Sequence, residues 1–195
     1  MSDITTLLRV RPYTEVDARR LAHLAELAAT VPGGAIVECG TAKGGSAAMM
    51  AAHSAAHCWL YDTFTGLPAP TAIDGTRALR YVGANQASVE DVQAAMESVG
   101  VPRDRYTIRV GNFRDTFRDN EGPAAVALLH IDADWYESVR LSLEHWVPRV
   151  VSGGTIVLDD FGCWPGCRSA FYEFVHAHRI RPDLNRCGDQ AWWIV

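Results

Sequence analysis

Four short apolar runs in this chain each stop at residues that carry chemistry, and helical stretches alternate with them. Ala35-Ile36-Val37-Glu38 leads into Cys39-Gly40-Thr41-Ala42-Lys43-Gly44-Gly45-Ser46, and Cys58-Trp59-Leu60-Tyr61 stops at Asp62. Ala124 to Ile131 stops at Asp132, and Thr155 to Leu158 stops at Asp159-Asp160. The run from Ala124 to Ile131 is continuously apolar apart from His130, as a strand covered on both faces must be. Strands alternating with helices predict a doubly wound α/β sheet with helices on both faces, and ligands in such folds bind beyond the carboxyl ends of the strands.

The rest of the chain fits that frame. Met1 to Val10 has no clear period. Thr14 to Thr30 repeats apolar residues at helical spacing, with Thr14 offered as the N-cap, and Pro32-Gly33-Gly34 stops it, so 1–34 reads as an N-terminal helical segment. Further helices are expected over Ser46 to Ala56, Ser88 to Val99 (capped by Ser88), Tyr136 to Val147 and Arg168 to His178. Tyr106 to Val110 is another strand, Ser152-Gly153-Gly154 a turn, and Ala191 to Val195 an antiparallel C-terminal strand. Residues 64–86, with Gly66, Pro68, Pro70 and Gly75, form an irregular loop long enough to read as a lid. No repeat or linker interrupts residues 1–195, which read as a single domain.

Composition narrows the function. Lys and Arg number 18 against 23 Asp and Glu, a net charge of −5, with no basic block, so a nucleic-acid partner is not expected. No apolar stretch is long enough to span a bilayer and the N-terminus lacks a secretory core, so a cytoplasmic protein with no membrane partner is expected. Cys163 and Cys167 have a spacing that zinc tolerates. His176 and His178, two apart, face opposite sides of a helix, and a zinc site is set aside.

The strand ends carry the functional argument. Gly40-x-x-x-Gly44-Gly45 is neither a dinucleotide fingerprint nor a phosphate-binding loop, yet it lets a backbone approach a ligand closely. Asp62 follows Gly40 by about 20 residues, the distance at which an acid binds ribose hydroxyls. Asp132, Asp159 and Asp160, with Asp134 close by, should meet above neighbouring strands, where a hard cation such as Mg²⁺ would relieve their repulsion. An adenosine ligand beside a carboxylate-bound cation, without a phosphate cradle, points to S-adenosylmethionine and methyl transfer to a hydroxyl. The cation would position the acceptor oxygen and lower its pKa while a carboxylate takes its proton.

Val37 to Ser46, Tyr61 to Pro68, Gly111 to Thr116, Ile131 to Ser138 and Gly153 to Phe161 together resemble the macrocin O-methyltransferase family, from about Arg11 to the C-terminus. These are sugar O-methyltransferases of antibiotic biosynthesis that use S-adenosylmethionine and Mg²⁺. The resemblance implies a Rossmann-like class I methyltransferase sheet and a small glycosylated acceptor. Glu38, Gly40 and Ser46, flanked by Thr41 and Gly44, match its first cofactor segment. Asp62, with Thr63, matches the ribose site, and Gly111, Asn112 and Phe113 match a segment near the adenine. Asp132, Asp159 and Asp160 match the metal ligands, Asp132 also adjoining the cofactor. The base is an aspartate of the first pair, Asp132 or Asp134, with Asp132 preferred because it would lie nearest the acceptor hydroxyl. Only about ten residues precede Arg11 and the lid is compact, so a smaller or more open acceptor site, or a lid lent by another copy in a homo-oligomer, is expected.

Two other readings stand beside this one: a metal-dependent methyltransferase of catechols or phenols, and a cofactor-binding partner protein without turnover. Among the remaining residues, Trp164 reads equally as a wall for the acceptor and as a loop anchor. His130 reads as a satisfied core histidine. Tyr136 could reach the acceptor or pack its helix, and Lys43 is an exposed turn lysine near the expected cofactor carboxylate. Trp192 and Trp193 read as core and edge cover.

Overall fold

The computed structural model describes residues 4–118 and 121–195, so Met1 to Asp3 of the opening segment lie outside it. Each apolar run is a strand: β1 (Ala35–Cys39), β2 (Cys58–Asp62), β3 (Tyr106–Val110), β4 (Val126–Ile131) and β5 (Val150–Leu158), followed by β6 (Asn185–Cys187) and β7 (Gln190–Ile194). They form one sheet in the order β3-β2-β1-β4-β5-β7-β6. Strands β1 to β5 run parallel, and β7 pairs antiparallel with β5 and β6.

The helices are α1 (Ile4–Val10), α2 (Ala18–Ala29), α3 (Gly45–His53), α4 (Val89–Ser98), α5 (Phe113–Thr116), α6 (Tyr136–Trp146) and α7 (Pro165–Ala177). Leu21, Leu24, Met49, Met50 and Met96 bring α2, α3 and α4 onto one face of the sheet, against Ile36, Leu60 and Leu128. Val139, Leu143, Trp146, Phe171 and Phe174 bring α6 and α7 onto the other, against Val37, Tyr61 and Leu129. Both faces are therefore covered, which is why the central strands carry so few polar residues. None of the described helices is long and apolar enough to cross a membrane.

Strand order reverses between β1 and β4, and the crevice opens there. The two strands leave the sheet in contact: Asp132 N–H donates to the Cys39 carbonyl at 2.9 Å, and Gly40 follows at φ 88°. A Cβ on Gly40 would run into the carbonyl oxygen of Asp132. This glycine therefore lets the glycine-rich segment after β1 and the aspartates after β4 sit side by side.

Several local expectations change. The opening segment holds α1. Thr14 does not cap α2. Its hydroxyl accepts from Val16 N–H, and Asp17 caps instead, accepting from the N–H groups of Arg19 and Arg20. Ser152-Gly153-Gly154 lies within β5, where Gly153 N–H donates to the Val195 carbonyl. The last helix starts at Pro165, whose missing N–H costs nothing at a first helical position. Loop 64–86 contains two 3₁₀ turns, Ala72–Asp74 and Thr76–Tyr81, and α5 and β6 were not foreseen.

Gly40→Ala combines a positive φ with a backbone collision. We expect it to lower stability by about 2 kcal/mol or more, a drop of roughly 4–8 °C in Tm for a chain of this size. Scanning calorimetry would show this, and an unchanged Tm would mean the two strand ends have room to separate.

Candidate active site

A cavity of about 390 Å³ opens at the switch point, walled by the ends of β1, β2 and β4, by the starts of α5 and α6 and by the lid loop. Gly40, Asp62, Thr63, Asn112, Phe113 and Asp132 of the expected cofactor set line it, as does Asp134. Glu38, Thr41, Gly44, Ser46 and Gly111 are not among its lining residues. Two of these nevertheless carry buried polar atoms with no partner among the described residues, Glu38 Oε2 and Thr41 Oγ1. An unpaired buried oxygen is costly, so both fit a site completed by a polar ligand.

Asp62 closes β2 with both oxygens oriented. Oδ2 accepts from Ala42 N–H and Oδ1 from Phe64 N–H, each at 2.7 Å. Each oxygen retains a lone pair for a further donor such as a ribose hydroxyl. Asn112 caps the short helix α5, accepting from Arg114 N–H, which sets Phe113 at the cavity wall.

The aspartates at the ends of β4 and β5 converge. Ligand atoms of Asp132, Asp159 and His130 lie within 4.8 Å of one another. Asp160 is buried beside them, its Oδ2 accepting from Asp134 N–H at 3.0 Å. Burial first, then the charge of Asp159, holds the Asp132 carboxyl well above the usual range. Burial first, then Asp134 and Asp132, does the same to Asp160. Burial raises Asp134 to about 6 against the opposing hydrogen bond from the Trp164 indole, with Asp159 adding to the rise. Asp159 goes the other way. Burial alone would raise it, but its hydrogen bond to His130 and the charges of His130 and Arg20 hold it low.

His130, the third member of that group, sits with both ring nitrogens facing carboxylates. Its Nδ1 meets Glu38 Oε1 at 2.9 Å and its Nε2 faces Asp159 Oδ1 at 3.5 Å. Burial alone would lower its pKa, but Asp159 and Glu38 together push it up to about 10. Both ring nitrogens are thus engaged by Glu38 and Asp159 rather than left open to an ion. The donor set left is carboxylate only, which suits a hard divalent cation taking oxygen ligands. Asp132 and Asp159 bring carboxylate oxygens close enough to share such an ion, whereas Asp160 lies outside the group that converges within 4.8 Å.

Other groups at the site were not legible in the sequence. Arg20 on α2 reaches Asp159 Oδ2 at 2.5 Å, and Gln190 on β7 donates to Asp159 Oδ1 at 2.7 Å. Asp74 in the lid is buried, accepting from Tyr136 N–H at the start of α6. Trp164 is an anchor: it is buried and its indole N–H donates to Asp134 Oδ1 at 2.8 Å. Tyr136 sends its hydroxyl to Glu173, the helix-packing role. Cys163 and Cys167 are free thiols, and no zinc cluster forms among the described residues.

Comparison with known proteins bears on this geometry. Residues 9–194 match the family model of macrocin-O-methyltransferase (TylF). The chain is 32% identical over 198 residues to the 8-demethyl-8-(2,3-dimethoxy-alpha-L-rhamnosyl)-tetracenomycin-C 4'-O-methyltransferase of Streptomyces olivaceus, covering 93% of this chain and 75% of that protein. It is 27% identical over 192 residues to the demethyldecarbamoylnovobiocin O-methyltransferase of Streptomyces niveus, covering 88% and 71% respectively. The structure of the O-methyltransferase NovP superposes with a TM-score of 0.84 at 25% identity, over 93% of this chain and 81% of that one.

Removing one partner from a buried ionic network leaves the others uncompensated, so His130→Leu should cost about 3 kcal/mol or more near neutral pH. Because the folded-state pKa of His130 is raised to about 10, its contribution is full below its ordinary value near 6.5 and is lost as pH climbs through 10. Urea unfolding in EDTA should therefore show the gap between wild type and His130→Leu narrowing from pH 6 to pH 10. A gap independent of pH would mean that His130 is neutral in the fold.

Proposed function

The chain belongs to the macrocin O-methyltransferase family, and from that premise we propose that it methylates a sugar hydroxyl of a glycosylated natural product using S-adenosylmethionine and Mg²⁺. The observation that carries this reading is the cavity lined by Asp132 and Asp134 after β4 together with Asp62 and Phe113, with Asp159 and Asp160 buried behind Asp132 rather than in its lining. The name of the Streptomyces olivaceus relative, a methyltransferase of a rhamnosyl-tetracenomycin, supports a sugar as acceptor.

Each residue then has a task. Asp62, fixed by two backbone N–H groups, receives the ribose hydroxyls, and Phe113 with the backbone at Gly111 and Asn112 adjoins the adenine. Glu38 and Thr41, each with an unpaired buried oxygen, take the polar amino-acid end. Asp132, Asp159 and Asp160 hold the cation. When bound, the cofactor supplies an electrophilic methyl on sulfur and the cation positions the acceptor hydroxyl and lowers its pKa. Asp134 is the better base of the two candidates. Asp132 is committed as a ligand, whereas Asp134 is oriented through one oxygen by Trp164 and keeps the other to accept the proton.

Titration with S-adenosylhomocysteine should give micromolar binding that Asp62→Ala abolishes. With that established, a panel of deoxysugar glycosides and simple catechols in Mg²⁺ identifies the acceptor, and turnover of catechols alone would replace the sugar reading. Asp159→Asn and Asp160→Asn should each lower kcat at least ~100-fold, and Asp134→Asn by a factor of roughly 100–10,000, with homocysteine-analogue binding largely intact. Full activity of the wild type in EDTA would remove the cation from the mechanism.

A further inference from the structure

Asp159 is the most restrained carboxylate of the cluster. Arg20 Nη1 from α2 reaches its Oδ2 at 2.5 Å, Gln190 Nε2 from β7 donates to its Oδ1 at 2.7 Å, and His130 Nε2 from β4 faces Oδ1 at 3.5 Å. The first two donors are themselves held. Arg20 Nε donates to Asp17 Oδ2 at 2.7 Å, the same aspartate that caps α2, and Gln190 Oε1 meets His23 Nδ1 at 3.0 Å. Two chains of contacts thus run from α2 to a single carboxylate at the end of β5.

Gln190 is fully buried. A primary amide in that setting costs several kcal/mol unless both of its ends are bonded, and an apolar residue would fill the same position on β7 at no such cost. Here both ends are bonded, one to Asp159 and one to His23. A carboxylate offers about four lone-pair sites, and three are engaged on Asp159. The remaining one is on Oδ2, and one carboxylate oxygen of Asp159 lies within 4.8 Å of one of Asp132. A ligand already fixed in its rotamer gives up no side-chain freedom when it binds an ion.

We infer that Arg20 and Gln190 are positioning residues that aim Asp159 at the divalent cation it would share with Asp132 and Asp160. This rests on the cation site proposed above. Neither residue lines the cavity, and each reaches the cluster through Asp159. Groups that orient metal ligands in this way typically carry a 10–100-fold effect on metal affinity.

The test is calorimetric titration of the full chain with Mn²⁺, with unfolding and S-adenosylhomocysteine binding measured alongside. Wild type should bind one Mn²⁺ saturably. Gln190→Leu, which removes a neutral donor and leaves the charge of the cluster unchanged, should weaken Mn²⁺ roughly 10–100-fold while homocysteine-analogue affinity stays within about threefold. Arg20→Lys keeps the positive charge but lacks the fork that serves Asp17 and Asp159 together, and should weaken Mn²⁺ in the same direction. It decides the matter should Gln190→Leu fail to fold. Folded variants that bind Mn²⁺ as tightly as wild type overturn the positioning role while leaving the cation site intact. Absence of Mn²⁺ binding by the wild type overturns the cation site and the positioning role together.

Discussion

The constraint on which the site depends is electrostatic. Glu38, Asp132, Asp134, Asp159 and Asp160 crowd the ends of three adjacent parallel strands, and the cations that face them are Arg20 and His130. Full ionisation would leave three negative charges in excess. At separations near 4 Å each like-charge pair costs about 4 kcal/mol at a surface-like dielectric, and more as water is excluded. Two escapes are open: some carboxyls keep their protons, or a divalent cation enters. Burial and mutual repulsion push Asp132 and Asp160 up, toward the first escape, and a divalent cation would relieve the same repulsion. The same crowding explains why a histidine belongs in the middle of β4. At that position an aliphatic residue would satisfy the sheet but would leave Glu38 and Asp159 facing each other with Arg20 as the one remaining cation.

A second set of contacts ties the lid to this cluster. Trp135 sends its indole N–H to the Pro68 carbonyl at one arm of loop 64–86, and Trp164 sends its own to Asp134. The two indoles meet edge to face at 4.9 Å, and from the other arm Tyr81 packs on Trp164 while the Arg77 guanidinium lies over its ring. Asp74 closes the arrangement by accepting from Tyr136 N–H, and Gly166 leaves it room, since a Cβ there would strike the Asp74 carboxylate. The loop is irregular in sequence but is pinned at both arms by residues next to the aspartates. Movement of the lid cannot leave the environment of Asp134 unchanged.

The strands and their chemical ends were legible because a buried parallel strand must be apolar throughout, so the first charged residue after each run marks where the sheet stops. Asp62, Asp132 and Asp159-Asp160 were found by that rule alone. Arg20 was not, because its partner lies 139 positions away and an arginine in the first turn of an amphipathic helix reads as a solvated face. Gln190 was hidden by its place just ahead of an apolar terminal strand, and Asp74 by the lack of any period in the lid. The N-cap of α2 went to Asp17 because its carboxylate serves two backbone donors and Arg20 at once, more than the Thr14 hydroxyl can. Ser152-Gly153-Gly154 looked like a turn because glycine pairs usually are. The pairing with the chain's last residue keeps it in the sheet.

Backbone strain shows what the fold is organised to hold. Five non-glycine residues among those described have positive φ; Asn85 lines the cavity from the lid, and three others, Ala42, Phe64 and Asp134, stand beside the site carboxylates. Such conformations cost about 1–3 kcal/mol each and persist where the surroundings demand them. Each of the three turns its own N–H onto a site carboxylate: Ala42 and Phe64 onto the two oxygens of Asp62, and Asp134 onto Asp160. The strain is thus spent on aiming acceptors rather than on closing loops. An acid that only capped a loop would need one such donor from an unstrained turn. Asp62 has two, from segments that follow different strands, and this joins the end of β1 to the end of β2 across the crevice. Paired with the Gly40 contact that joins β1 to β4, it makes the three walls of the cavity one connected unit, onto which the lid is pinned.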